Sequence, residues 1–153
     1  MRRKQLVVAM TNDFDETELL RLGFSVADKT LEHMVLVEAA TENEVVVWRL
    51  GDWIQFRCDL YGLGASAGSD KYIALSETIN RMHDMALGAR ISLSDAGEVV
   101  LVADLLHSTV NNKVAATVSN QLLFLAERLI EPLEEISRGR SSFTTEEIDQ
   151  ILS

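Results

Sequence analysis

Only one of the 153 residues is cysteine, only one is proline and only three are histidine. Cys58 stands alone, so no intramolecular disulfide forms, and a reducing compartment fits the chain. His33, His83 and His107 show no H-x-x-x-H or H-E-x-x-H spacing, and no second cysteine joins Cys58. Metal ligation needs such clustered donors, so no metal and no cofactor is expected. Long apolar runs are missing too: nothing approaches the roughly 18 consecutive apolar residues of a membrane span. The start, MRRKQLVVAM, is basic, but its apolar run is only Leu6 to Met10, too short for the core of a signal peptide. A cytoplasmic protein with no membrane partner is expected.

Positive charge is also scarce. Fourteen basic residues stand against twenty-four acidic ones, giving a net charge of −10, and the only basic cluster is Arg2-Arg3-Lys4. Nucleic-acid affinity comes from cations that displace condensed counterions, so DNA or RNA is excluded as a partner. The acidity favours solubility and a basic protein partner.

What is present is an ordinary globular composition, 47% hydrophobic and 25% charged. A chain of this length buries roughly 68–70% of the surface its unfolded form exposes, enough for a real core. Asp15 caps a short helix carrying Leu19, Leu20 and Leu22, with Gly23 as its stop. Thr30 to Ala40 fits a strand slightly better than a helix. Val45 to Trp48, the Gly51-Asp52 turn and the alternating run Trp53 to Leu60 predict a β-hairpin. Leu75, Ile79, Met82 and Ala86 form a helix stripe that ends at Gly88. A second hairpin turns at Asp95-Ala96-Gly97. Its second strand, Glu98 to Leu106, is apolar on both faces and is expected inside a covered sheet.

A long helix follows. Its stripe runs from Val114 through Leu122, Leu129 and Ile136, and Leu123, Phe124 and Ile130 widen it beyond what a surface helix needs. Pro132 is expected to bend or end it near Glu131. Arg138 to Ser142 reads as a linker, and Thr144 with Glu147 forms a T-x-x-E capping box ahead of a short amphipathic helix. The expected organisation is one α+β domain over residues 1–137, followed by a linker and terminal helix over 138–153.

One stretch matches chemical motifs by letter. Gly64-Ala65-Ser66-Ala67-Gly68 fits the G-x-S-x-G elbow of hydrolases, with His107 as a base, and Gly62 to Ala67 fits a dinucleotide fingerprint. Both motifs need a parallel framework, whereas this chain offers hairpins. Asp104 and His107 lie only three residues apart at a strand end, so both cannot easily reach one serine. The stretch reads as a connecting loop, and Ser66-dependent labelling by a fluorophosphonate would overturn that. Paired carboxylates such as Glu134-Glu135 read as solvated faces.

The segment Leu75 to Leu106, LSETINRMHDMALGARISLSDAGEVVLVADLL, resembles the centre of the YbjN family, in which a helix with an "IN" pair leads into a hairpin turned at an acidic residue and glycine. The element order also resembles the type III secretion chaperones, including the Tir chaperone group. The resemblance covers about residues 15–136 and implies an antiparallel sheet of two hairpins packed against helices, in the order α-β-β-β-α-β-β-α. It also implies a homodimer that works by binding a polypeptide, not by catalysis. Trp48, Trp53 and Phe56 are the expected partner-binding residues, with Ile148, Ile151 and Leu152 as a second, mobile element. The alternatives are a small serine hydrolase using Ser66 as nucleophile with His107 as base, separable by the fluorophosphonate probe, and a ligand-sensing regulator, separable by a thermal-shift screen.

Overall fold

Asp15 sits where a helix start needs an acceptor. In the computed structural model, which describes residues 14–62, 69–85, 89–94 and 97–153, its Oδ1 accepts from the N–H groups of Thr17 at 2.9 Å and Glu18 at 3.4 Å. Helix α1, Glu16–Arg21, follows, and Gly23 leaves it at φ +98°, a conformation glycine adopts without a Cβ penalty.

Strands β1 (Phe24–Lys29), β2 (His33–Glu38), β3 (Glu44–Leu50) and β4 (Trp53–Gly62) come next, then helix α2 (Ser69–Met85), strands β5 (Arg90–Leu93) and β6 (Glu98–Leu106), a 3-10 turn at His107–Thr109, and helices α3 (Asn112–Ser137) and α4 (Thr145–Leu152). The strands form one antiparallel sheet in the order β1-β2-β3-β4-β6-β5. Both expected hairpins are there: Val47 pairs with Phe56 in one and Ile91 with Leu101 in the other. Two further strands extend the first, with Val35 opposite Val46 and Ser25 opposite Val37. As its two-sided apolar pattern requires, β6 lies inside the sheet, and Val99 to Ala103 are all buried.

By contact density the chain divides into two compact units, Met1–Cys58 with Ala103–Leu123, and Asp59–Val102 with Phe124–Ser153. In the first, α1 packs on β1, and Met34, Leu36, Val45, Val47, Ile54 and Phe56 fill the inner face of the sheet at no more than 1% exposure. Leu19 and Leu122 are buried in the same unit.

The second unit holds the terminal segment expected as a loose linker and helix. α4 packs on α2, Ile148 is fully buried and Phe143 nearly so. Of the two outcomes expected at Pro132, a bend or an end near Glu131, α3 does not end there but runs through Pro132 to Ser137. The proline removes one backbone donor, and the burial of Pro132, Leu133 and Ile136 holds the turn together. The helix then closes on Gly139 at φ +110°, whose N–H donates to the Ile136 carbonyl at 3.0 Å while that of Arg140 donates to the Glu135 carbonyl at 3.0 Å. That is the double-bonded C-terminal cap a glycine at this position permits.

The segment after the cap is fixed by two arginines. Arg140 donates to Glu135 at 2.7 Å, to Glu147 and to the Ser142 carbonyl at 2.9 Å, and its guanidinium lies 3.9 Å from the Phe143 ring centroid. Arg81 of α2 donates to the Phe143 carbonyl and, at 3.1 Å, to Thr145 Oγ1. The capping box is complete, with Thr144 N–H on Glu147 Oε1 at 2.9 Å and Glu147 N–H on Thr144 Oγ1 at 3.1 Å. The backbone N–H of Thr144 and then the Arg140 guanidinium hold the Glu147 carboxyl at a pKa of about 2.

Candidate functional site

Side chains alternate across a strand, so each residue of the first unit's sheet faces either the core or the opposite surface. In β4 the buried set is Ile54, Phe56 and Cys58, which leaves Trp53, Gln55 and Arg57 on the other face. Register carries that face across the sheet: Trp48 lies opposite both His33 and Gln55, and Leu50 opposite Trp53. On the far side of β4, the His107 N–H donates to the Asp52 carbonyl at 2.7 Å and Gln55 Nε2 donates to Asp104 Oδ1 at 3.2 Å. Both contacts belong to one antiparallel register, which sets Leu106 opposite Trp53.

A row of three large apolar side chains thus crosses three strands at one end of this face. Leu50, Trp53 and Leu106 are 49%, 48% and 45% exposed, so each offers about half its surface to a partner. Beside this row, Trp48 is half-buried, and its indole stacks on the His33 imidazole with centroids 4.6 Å apart. Thr30 Oγ1 lies 2.8 Å from His33 Nδ1, and an Asp28 carboxylate oxygen lies 3.6 Å from Nε2. The imidazole is therefore held through Nδ1 and stacks on the indole. Val35, Val37 and Val46 continue the face as half-buried apolar residues.

Of the residues expected to bind a partner, the structure brings Trp48 and Trp53 onto this one surface. Phe56 points the opposite way and is fully buried, so it packs the core and presents no anchor. Ile148 is likewise buried, whereas Ile151 and Leu152 are half-exposed on α4 in the other unit. Leu50, Leu106 and His33 were not singled out from the sequence. The alternation of β4 carried the signal, because the phase that buries Phe56 must expose Trp53.

Ser66 lies outside the described residues. Asp104 is tied to Gln55 on the open face, and His107 is half-buried in the 3-10 turn after β6. Among the described residues no group of three or more His, Cys, Asp or Glu side chains is placed to hold a metal ion, and no helix is long and apolar enough to cross a membrane.

No protein-family model and no curated protein matches the sequence. Solved structures do match. A chain of the ExoU–SpcU heterodimer from the type III secretion system of Pseudomonas aeruginosa superposes with a TM-score of 0.51 at 22% identity, over 77% of this chain and 95% of that one. The chain has the type III secretion chaperone fold. A chain of the ExsC–ExsE complex matches with a TM-score of 0.50 at 16% identity, over 78% of this chain and 96% of that one. YbjN from E. coli matches with a TM-score of 0.50 at 14% identity, over 80% and 85% of the two chains. The resemblance in Leu75 to Leu106 therefore extends to the fold.

Proposed function

We propose that the protein is a non-enzymatic, protein-binding module of chaperone-like or regulatory type that works as a cytoplasmic homodimer and takes a polypeptide partner. The observation that carries this reading is the Leu50–Trp53–Leu106 row on an open sheet face. Three half-exposed apolar side chains in register cost solubility unless something covers them, and a tryptophan with one polar edge is a frequent interface anchor. The stacked Trp48–His33 pair beside the row is already fixed, so a partner loses little entropy in meeting it.

The fold supports the same reading. Two of the matched structures are, by name, complexes of two proteins, ExoU with SpcU and ExsC with ExsE. For dimerisation the support is Ile130 in the middle of α3, 46% exposed although Leu122, Leu129, Leu133 and Ile136 of the same helix are buried.

The test pairs the native protein with Trp53→Glu/Leu106→Glu, two changes at exposed positions that the folded state tolerates. Size-exclusion chromatography with light scattering counts the subunits, and affinity capture from the native cells compares the proteins held by each form. A dimer whose captured partner is lost in the double variant is the expected result. A monomer, or a partner held equally by both forms, refutes the reading.

A further inference from the structure

In the unit that contains α4, two helix faces stand across a groove. α3 contributes Phe124, Glu127, Arg128, Glu131, Pro132 and Glu135, spaced three and four apart as one continuous stripe, and α4 answers with Glu147, Gln150 and Ile151. Arg140 and Phe143 complete a lining around a volume of about 630 Å³. The chemistry of this lining is mixed. Pro132 and Phe143 are buried, Ile151 is half-buried, and Phe124 is 53% exposed, with the Arg128 guanidinium 5.0 Å from its ring centroid.

The charges decide which ligand fits. Arg140 already engages all three of its nitrogens with Glu135, Glu147 and the Ser142 carbonyl, and the two carboxylates neutralise its charge, so it draws no anion into the groove. Its two carboxylate partners are equally committed. Glu127 and Glu131 differ: both are exposed on the rim, and among the described residues neither carboxylate has a hydrogen bond or ion pair. Four glutamates against two arginines leave the lining net negative. The two unpaired carboxylates lie one helical turn apart, their Cβ atoms roughly 5–6 Å from each other, which matches two cationic side chains one turn apart on a second helix.

We propose that this groove docks a cationic amphipathic helix of a partner protein. Apolar side chains of that helix rest on Phe124, Pro132 and Ile151, while lysines or arginines reach Glu127 and Glu131. The proposal is independent of the open sheet face, since it uses other residues in the other unit.

The probe is a fluorescein-labelled amphipathic Leu/Lys peptide of roughly four turns, followed by fluorescence anisotropy at low and raised salt. Its Leu/Glu counterpart serves as the charge control. The native protein is expected to bind the Leu/Lys peptide and not the Leu/Glu one. Binding should weaken about tenfold in Glu127→Lys/Glu131→Lys, since two rim attractions become repulsions. The protein as a whole is strongly acidic, so Glu32→Lys/Glu44→Lys, exposed changes of equal charge outside the lining, must leave the affinity near native. Phe124→Ala must weaken binding at both salt concentrations. Absence of binding, equal binding of the two peptides, or equal loss in the two charge-reversed variants overturns the proposal.

Discussion

Ile148→Ala tests whether the terminal segment is part of a folded unit. An isolated helix as short as the eight residues of α4 is marginal in water, because nucleation is costly and too few bonds follow. If α4 merely hung from a linker, trimming one of its side chains would leave the main unfolding transition in place. Ile148, however, is 0% exposed on a helix packed against α2. Removing a fully buried isoleucine down to alanine costs about 2–5 kcal/mol, from lost transfer energy and the cavity left behind. In a chain of this size, about 3 kcal/mol lowers the melting midpoint by about 6–12 °C. Ile148→Val sets the internal scale at about 0.5–1.5 kcal/mol, and Ile151→Ala, at a half-exposed position, should cost about 1 kcal/mol. Urea titrations followed by far-UV circular dichroism measure all three. If Ile148→Ala shifts the midpoint no more than Ile151→Ala does, or melts a small helical fraction ahead of an unmoved main transition, the terminal helix is an appendage and the reasoning fails.

Two other outcomes follow from single groups. Ser119 is fully buried in α3, and its Oγ has no hydrogen-bond partner among the described residues, so Ser119→Ala should raise stability by about 1 kcal/mol, and a loss of that size would show the hydroxyl to be satisfied. The Glu147 carboxyl has its pKa lowered from 4.5 to about 2 by folding, so between these values the unfolded chain binds the extra proton. Its contribution is therefore present above about pH 4.5 and is lost as the pH falls towards 2. Glu147→Gln keeps a capping-box residue but should be less stable than the native protein at neutral pH, with the gap between their melting midpoints closing as the pH falls. A gap that does not change with pH would contradict the assignment.

The elements legible in the sequence were those specified by neighbouring residues. Asp15 with Gly23, Thr144 with Glu147, and the turn at Gly51-Asp52, where Gly51 takes φ +64°, each encode a boundary within a few positions. What was missed depends on distant partners. Strand β1 reads FSVADK, with only Phe24 buried, because an edge strand has one neighbour and carries polar residues outward. RGRSS looks like a linker until Arg140 meets Glu135 and Glu147 from either side. Trp53 and Phe56 look equivalent as aromatic residues of one strand, yet they differ by an odd number of positions and so face opposite ways.

The two proposed surfaces are separable because they attract by different physics. The Leu50–Trp53–Leu106 row is apolar, with Arg57 and Asp104 the nearest charges of its face, and apolar association is little affected by moderate salt. Attraction in the α3–α4 groove comes in part from Glu127 and Glu131, both exposed and therefore screened over a Debye length of about 8 Å at physiological ionic strength. A partner bound through the sheet face should keep its affinity as salt rises, whereas one bound through the groove should lose it, chiefly through a slower on-rate. Chains matched at 14–22% identity share this fold. A shared fold does not fix surface chemistry, so the two proposed surfaces rest on side chains such as these and not on the architecture.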